Sequence, residues 1–344
     1  YIMGPQVAEL EAQLSAFCGA KNCVTCANGT DALQLVLMAE QIGPGDAVLV
    51  PDFTFVATAE AVMERGATPV YVDVLRETFN MDPMSLRRSL ATSRALGLEP
   101  RMVIVVDLFG LPADYESIGE IADAEGLILV ADAAQSFGAS RNGRNVGTFG
   151  KYTTTSFFPA KPLGCYGDGG AIFTDDAVAA ELLRSLRFHG KGEHKYDNVR
   201  VGLNSRLDTL QAAVLLEKLK VFPREIEARN RVAARYNEAL DGLATTPSAG
   251  NSARSVWAQY TLILPGSVCR ETVQKELREQ GVPTTVYYPN PLHSQGTYKG
   301  NPADPNGLAM SRALAAKVLS LPMHAYLDNQ TQDYICEQTR KALS

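Results

Sequence analysis

Asp132 is the carboxylate whose setting most clearly indicates chemistry, because it follows directly after the apolar run from Leu127 to Ala131. A buried aspartate at the end of a strand can hold a proton on a pyridine nitrogen, which pyridoxal phosphate (PLP) needs to act as an electron sink. Gln135, one turn further on, could hydrogen-bond the hydroxyl group of such a ring. Magnesium enzymes and dinucleotide-binding enzymes place an aspartate similarly, so Asp132 alone leaves all three chemistries open.

Lys161 follows 29 residues later, between Pro159 and Pro162, and leads into a glycine-rich turn that ends at Gly170. A lysine that forms a Schiff base must lie near the cofactor and be desolvated enough to lose its proton. A solvated loop lysine is the usual alternative, but apolar and glycine residues surround Lys161. Because the glycines precede a strand pattern instead of opening a helix, they do not form the fingerprint of NAD-binding enzymes.

A phosphate group could be held where Asn28, Gly29 and Thr30 precede the apolar run that begins at Ala32. This pattern predicts a helix N-terminus, where unpaired amides and the helix dipole favour an anion. Gly29 allows close approach of the backbone and Thr30 adds a hydroxyl group, while Ser156 is a second candidate ligand. An ordinary helix cap remains the alternative for this segment.

An aromatic residue could cover the face of the cofactor ring. Phe53 and Phe55 follow the apolar run at 47–50, and either side chain could lie on such a ring or belong to the core.

The elements that must position these residues alternate from residue 4 to about 190. Short apolar or β-branched runs alternate with amphipathic stretches, which is typical of βα units around a mostly parallel sheet in an α/β fold. Ligands bind beyond the carboxyl ends of such strands, so residues that follow each strand are the first candidates. The predicted strands are residues 23–26, 47–50, 69–74, 102–106, 127–130, 152–157 and 171–174.

A second, smaller α/β domain is predicted after a long helix from 207 to about 220, which we expect to end at Phe222 and Pro223. The predicted domains are therefore 1–222, which would bind the cofactor, and 223–344. Strands are expected near 257–264 and 284–288.

Composition excludes several function classes. The 344 residues carry a formal net charge of −6 without a Lys/Arg block, which argues against a nucleic-acid partner. No apolar run approaches the roughly 20 residues that span a bilayer, and no signal sequence opens the chain, so we expect no membrane contact and a cytoplasmic location. Cys23 and Cys26 form the one close cysteine pair, and we interpret them as buried strand residues because no further cluster completes a metal or redox site.

Five segments taken together resemble the DegT/DnrJ/StrS family of sugar aminotransferases, a branch of the fold-type I PLP enzymes. The resemblance covers nearly the whole chain and implies a large domain with a seven-stranded, mostly parallel sheet. The segments are Asn28-Gly-Thr-Asp-Ala-Leu33, Asp132-Ala-Ala-Gln-Ser136, Ser156-Phe-Phe-Pro-Ala-Lys161, Gly202-Leu-Asn-Ser-Arg-Leu-Asp208 and Tyr287-Tyr-Pro-Asn-Pro-Leu-His293.

The resemblance implies a role for each matching residue. Lys161 would form the Schiff base with PLP, Asp132 would pair with the pyridine nitrogen, and Phe55 would stack on the ring. The remaining implied contacts are Gln135 with the ring oxygen, Gly29, Thr30 and Ser156 with the phosphate, and Asn204 with the phosphate of the neighbouring subunit. The active site would then be shared, which implies a symmetric homodimer.

Lys161 also bears on the type of reaction. Some relatives carry histidine at this position and are PLP-dependent sugar dehydratases, so the lysine favours amino transfer. An amino donor, for which we expect glutamate, would load the cofactor, which would then aminate a keto-sugar nucleotide while Lys161 moves the proton in both halves. A catalytically idle protein on the same fold is a further alternative, against which the intact Lys161 and Asp132 speak.

A group of basic residues could bind a diphosphate or a uronate, although a solvated loop is the alternative for most of them. His189 and Arg206 are our preferred substrate contacts, and the wider group is Arg187, His189, Lys191, His194, Lys195, Arg200 and Arg206. The stretch 287–293, with Tyr288 and His293 as candidate contacts, is similar to that of enzymes that aminate C3 of a UDP-linked 3-keto-N-acetylglucosamine or its uronic acid. Aminotransferases that act at C4 or on dTDP-sugars remain alternatives.

Overall fold

The computed structural model describes residues 1–194 and 196–344, so Lys195 of the basic group lies outside the described residues. The strands are β1 (Asn22–Cys26), β2 (Asp46–Pro51), β3 (Thr68–Val72), β4 (Glu99–Val106), β5 (Ile128–Asp132), β6 (Ser140–Arg141), β7 (Arg144–Asn145), β8 (Tyr152–Ser156), β9 (Gly170–Thr174), β10 (Ala253–Arg254), β11 (Tyr260–Ile263) and β12 (Val318–Leu321). The helices are α1 (Pro5–Cys18), α2 (Gly29–Ala39), α3 (Ala57–Glu64), α4 (Pro83–Ala95), α5 (Tyr115–Glu125), α6 (Ala177–Leu186), α7 (Thr209–Leu240), α8 (Arg270–Glu279), α9 (Ala309–Lys317) and α10 (Asn329–Leu343), with short 3-10 turns at Leu108–Gly110 and Leu292–Ser294.

A seven-stranded sheet with the order β1-β9-β8-β5-β4-β2-β3 forms the centre of the larger part of the chain. The four pairs from β8 to β3 are parallel, whereas β9 runs antiparallel to both of its neighbours. All seven strands predicted in the first half of the sequence belong to this sheet. The predicted α/β fold with a mostly parallel sheet is therefore confirmed.

Helices cover both faces of the sheet, so its strands are buried on both sides, as is typical of parallel sheets. One face packs against α1, α4, α5 and α7, and the other packs against α2, α3 and α6. Because successive side chains of a strand alternate between the faces, Val130 and Tyr152 place Asp132, Thr154 and Ser156 on the second face.

The strand cysteines are buried, as predicted. Cys23 packs in the cluster on one face of the sheet and Cys26 in the cluster on the other, so their thiols cannot meet. Burial also raises the pKa of both thiols. All six cysteines are free, and Cys269 alone among them is exposed.

Helix α7 corrects one prediction. It does not end at Phe222 and Pro223 but continues through the proline to Leu240. A proline inside a helix removes one hydrogen bond, yet here its neighbours Phe222 and Ile226 are both buried and hold the helix against the core on either side. The ring of Phe222 also stacks on Phe137 at 6.3 Å. Over the described residues, no helix combines the length and apolar composition that crossing a bilayer requires.

The C-terminal part corrects a second prediction. Residues 284–288 form no strand, whereas β11, which lies within the predicted 257–264, pairs with β12. Thr285 makes only an isolated pair with Ser320, and Pro283 and Pro289 on either side lack the amide that a longer ladder needs. The second half of α7 shares a separate core with α8 and α10, and the division at 222/223 remains our proposal for the two domains.

Candidate active site

Four neighbouring parallel strands end in polar side chains at one edge of the sheet. Ser156 ends β8, Asp132 ends β5, Asp107 follows β4 and Asp52 follows β2. This edge is where open α/β sheets bind their ligands. The sequence reading identified Asp132 and Ser156 but missed the other two, although both also come directly after an apolar strand.

Asp132 is buried, with 7% of its surface exposed. The Thr58 hydroxyl of α3 donates to Oδ2 at 3.3 Å, and the Ala134 amide donates to Oδ1 at 3.2 Å. Burial raises the pKa of the Asp132 carboxyl, whereas the Ala134 amide, the charge of Lys161 and the Thr58 hydroxyl oppose this rise. A positively charged ring nitrogen beside the carboxylate would favour its ionised form in the same way. Thr58, which is separated from Asp132 by 74 residues, was not found from the sequence.

Lys161 lies in a tight loop that follows β8. Its amide donates to the Phe158 carbonyl at 2.8 Å, and the Cys165 amide donates to Phe157 at 2.8 Å. Gly164 is required here, because a Cβ atom would lie 2.6 Å from the Pro159 carbonyl oxygen. Burial lowers the pKa of the Lys161 amine, and the charge of Asp132 opposes this effect. The structure thus brings a partly desolvated amine close enough to Asp132 for each to shift the pKa of the other.

Gln135 and Tyr288 connect the two parts of the chain. The Gln135 amide group donates to the Tyr288 hydroxyl at 3.0 Å, and its oxygen accepts from the Phe109 amide at 2.6 Å. The Tyr288 ring lies 6.2 Å from that of Phe53 and 6.3 Å from that of Phe55. Burial raises the pKa of the Tyr288 phenol, which therefore stays neutral and able to donate.

The two candidate aromatics differ in exposure. Phe53 is completely buried and belongs to the core, whereas 55% of Phe55 is exposed. Only Phe55 of the pair is therefore available to a ligand.

The start of α2 forms a cradle for an anion. Asn28 caps this helix by accepting from the Asp31 amide at 2.8 Å, while the amides of Gly29 and Thr30 belong to the first turn and have no acceptor within the helix. Gly29 packs directly on the end of β8, because a Cβ atom there would lie 2.8 Å from the Ser156 Cβ. Ser156 accepts from the Phe158 amide at 3.2 Å, which leaves its own hydroxyl hydrogen to donate.

These residues fit PLP. Thr154, on the sheet face that carries Asp132 and Ser156, has a buried hydroxyl oxygen without a hydrogen-bond partner among the described residues. Such an orphaned atom between a carboxylate and an anion cradle indicates that a polar ligand belongs here. The acidic side chain suits a ring nitrogen, the amine of Lys161 suits an aldehyde, and the cradle suits a phosphate group.

The candidate substrate residues lie in two further places. His189 is exposed, and Arg206 lies over the Phe188 ring at 4.6 Å and donates to the Asn204 side chain. His293 is held by Asp52, whose Oδ2 lies 2.6 Å from Nδ1. Among the described residues, no hydrogen bond or ring contact joins these residues directly to Lys161.

Arg187 is not part of a solvated or substrate-facing group. Only 4% of its surface is exposed, and its guanidinium group contacts Glu11 at 2.5 Å and the Thr25 carbonyl oxygen at 2.6 Å. Its role is therefore structural, which the sequence could not reveal because Glu11 lies 176 residues away.

Cavity size does not mark the reactive centre. A wide cavity of about 930 Å³ lies between α7 and α10 and is lined by residues within 228–235 and 325–332, none of them at a strand end of the large sheet. A groove of about 460 Å³ lies beside the candidate substrate residues and includes Arg184, Phe188 and Lys191. We therefore locate the site by its chemistry and not by the volume of a cavity.

Comparisons with known proteins identify the family of this chain. The model of the DegT/DnrJ/EryC1/StrS aminotransferase family matches residues 1–340. A UDP-2-acetamido-2-deoxy-3-oxo-D-glucuronate aminotransferase from Pseudomonas aeruginosa is 48% identical, with 98% of this chain and 90% of the relative covered. A UDP-N-acetyl-3-dehydro-alpha-D-glucosamine 3-aminotransferase from Acidithiobacillus ferrooxidans is 40% identical, with 100% of this chain and 90% of the relative covered.

Solved structures show the same similarity. A DegT DnrJ EryC1 StrS aminotransferase from Brucella abortus has a TM-score of 0.97 at 51% identity, and 99% of this chain and 91% of that chain are covered. The PLP form of the sugar aminotransferase Spr1654 from Streptococcus pneumoniae has a TM-score of 0.91 at 25% identity, with 99% and 92% covered. The chain therefore belongs to the DegT/DnrJ/EryC1/StrS aminotransferase family, and it is a PLP-dependent aminotransferase of fold type I.

Proposed function

We propose that this enzyme transfers an amino group from glutamate to C3 of a UDP-linked 3-keto-N-acetylhexosamine or its uronate, in the synthesis of an amino sugar for surface polysaccharide. The observation that carries the reaction type is the half-buried Lys161 in the loop after β8, near the buried Asp132 at the end of β5, where burial lowers the pKa of the amine. The two relatives that are 48% and 40% identical are named for 3-oxo and 3-dehydro UDP-sugars, which supports a 3-keto sugar as the substrate.

Lys161 moves the proton in this proposal. When bound, PLP supplies an electron sink and holds the amino group between the two halves of the reaction. The Nζ of Lys161 would take a proton from the carbon that carries the donor's amino group and return it to the carbon on the other side of that nitrogen, which is a 1,3-shift. The carboxylate of Asp132 keeps a proton on the ring nitrogen, and Thr58 helps to keep that carboxylate ionised.

The geometry around these two residues supports the other proposed cofactor contacts. Gly29, Thr30 and Ser156 would hold the phosphate, since they line the cradle at the start of α2. Phe55, the exposed aromatic of its pair, would lie on the ring. Gln135 would approach the ring oxygen from the side of Tyr288.

The substrate would contact four residues. Arg206 lies over Phe188, which lines the groove of Arg184 and Lys191, and His189 is the next residue along the chain. Because Glu181 in the same groove pairs with Arg184, Lys191 and Arg206 would supply the positive charge for a diphosphate or carboxylate. Tyr288 would donate the hydrogen of its hydroxyl group to the substrate. His293 would use Nε2, because Asp52 occupies Nδ1.

A homodimer is part of the proposal, with Asn204 reaching the phosphate of the partner subunit. Large apolar side chains are exposed around the segments that carry Lys161 and Asn204, namely Ile2 (47%), Phe158 (50%), Tyr166 (77%), Val201 (85%) and Leu210 (65%). Apolar groups in such number around a site suit an interface better than water. The free cysteines support a reducing, cytoplasmic compartment.

The absorbance spectrum with PLP, before and after addition of glutamate, tests the reaction type. We expect the band of lysine-bound cofactor to disappear with glutamate in the wild type and to be absent in Lys161→Ala. Subsequent addition of UDP-3-keto-N-acetylglucosamine or its uronate should restore it. A band that glutamate leaves unchanged would contradict glutamate as the donor, and restoration only by a 4-keto or dTDP-linked sugar would contradict the proposed substrate.

A further inference from the structure

The segment that carries Asn204 pairs with the end of α6. The Leu203 amide donates to the Leu186 carbonyl at 2.7 Å, and the Ser205 amide donates to the Arg187 carbonyl at 2.9 Å. Asn204, between these two contacts, is exposed, whereas Ser205, which makes the second contact, is completely buried. The chain thus presents Asn204 to the outside from a fixed backbone.

The same segment also covers the free edge of β1. This strand is the outermost of the sheet and, within the described part of the chain, has β9 as its one neighbouring strand. On its other edge, Arg187 donates to the Thr25 carbonyl at 2.6 Å, and the Ser205 hydroxyl oxygen accepts from the Ala27 amide at 3.1 Å. Arg187 therefore holds Thr25 of β1, and Ser205 holds Ala27, which directly follows the strand.

Ala27 leads directly into the phosphate cradle, where the backbone has no room to shift. A Cβ atom at Gly170 would lie 2.4 Å from the Asn28 carbonyl oxygen, and one at Gly29 would lie 2.8 Å from the Ser156 Cβ. Because these contacts are already close, a displacement of Ala27 is passed on to the amides of Gly29 and Thr30.

We propose that Ser205 is a positioning residue for two phosphate sites at once. Through the Ala27 amide it sets the cradle of its own subunit, and through the peptide bond to Asn204 it sets the side chain that the partner subunit borrows. This inference rests on the homodimer of the proposed function. It predicts that PLP binding in each subunit depends on the Ser205 hydroxyl of both.

Ser205→Ala leaves the half-buried Ala27 amide without its acceptor, and we expect PLP to bind about tenfold more weakly. Ser85→Ala is the matched control, because the buried Ser85 hydroxyl also accepts a backbone amide, that of Asp73 at 2.8 Å, but does so away from the cradle. We expect the control to lose thermal stability without losing PLP affinity. Equal PLP affinity of Ser205→Ala and the wild type would overturn the proposal.

Mixed dimers separate the two effects, with Lys161→Ala used to silence one of the two sites. PLP on the remaining Lys161 is trapped with borohydride at a series of PLP concentrations and counted by intact mass. One dimer carries Ser205→Ala in the subunit with Lys161, and the other carries it in the silenced subunit. We expect weaker PLP binding in both, relative to a dimer with Ser205 in both subunits.

Normal binding in the second dimer would limit Ser205 to its own cradle and overturn the shared role. If the chain sediments as a monomer, the proposed homodimer is wrong. If it is a dimer and Ser205→Ala leaves PLP binding unchanged, only the role of Ser205 is wrong. The readout is independent of amino transfer, so an error in the proposed substrate leaves it unaffected.

Discussion

Asp107 should make the stability of the protein depend on pH. Its carboxylate is completely buried behind the reactive edge of the sheet, where Oδ1 accepts from the Ala113 amide at 2.8 Å and the Tyr115 hydroxyl at 2.7 Å, and Oδ2 accepts from the Ser136 hydroxyl at 2.6 Å. Burial raises the pKa of Asp107 from 3.8 to about 7, although all three hydrogen bonds oppose the rise. The folded protein therefore holds this proton more tightly than the unfolded chain.

The sign of the effect follows from this difference. The stabilising contribution is complete below about pH 3.8, and it is lost as the pH rises towards about 7. Over two pH units within this window, at about 1.4 kcal/mol each, the free energy of unfolding should fall by about 3 kcal/mol. Asp107→Asn is neutral throughout, and its amide oxygen can still accept from Ala113 and Tyr115.

The measurement is urea unfolding of the wild type and Asp107→Asn between pH 5 and pH 8 at one PLP concentration. We expect the wild type to lose about 2 kcal/mol relative to the variant between pH 5 and pH 7 and about 0.4 kcal/mol more by pH 8. Asp123→Asn, at an exposed position, is the control and should follow the wild type. A difference between wild type and Asp107→Asn that stays constant with pH would refute this reasoning.

Three further substitutions test the site. Gly29→Ala places a Cβ atom 2.8 Å from that of Ser156, so PLP affinity measured by absorbance titration should fall by about tenfold or more; an unchanged affinity would place the phosphate elsewhere. Asp132→Asn removes the charge that would keep a proton on the pyridine nitrogen of PLP. We therefore expect kcat to fall by at least about a hundredfold with the cofactor still bound, and normal turnover would exclude this role of Asp132. Arg206→Lys should raise KM for a sugar diphosphate or uronate by about tenfold with little change in kcat, whereas unchanged kinetics would remove Arg206 from the substrate site.

Much of the fold follows from local patterns. All seven strands of the large sheet are evident as short apolar runs, because strands covered by helices on both faces carry apolar side chains on both. Asp132 and Lys161 could be found for a related reason, since each follows such a run at the edge where ligands bind.

What the sequence did not indicate depends on contacts between distant segments. Arg187 belongs to a loop of basic residues and is buried only because Glu11 lies beside it in the folded chain. Helix α7 continues past Pro223 because its buried neighbours hold the helix in place, and no local sequence pattern indicates this burial. Residues 284–288 have the composition of a strand, but Pro283 and Pro289 on either side lack the amides that a longer ladder needs, and Thr285 alone pairs with Ser320.

The separation of the strand cysteines has a practical consequence. Since Cys23 and Cys26 lie on opposite faces and five of the six thiols are buried, Cys269 at the start of α8 is the single thiol that a maleimide can reach in the native protein. A spin label there would give one position per subunit without any mutation. In a two-fold symmetric assembly, the pair of labels would report a single distance. The quaternary structure could therefore be measured on the unmodified sequence.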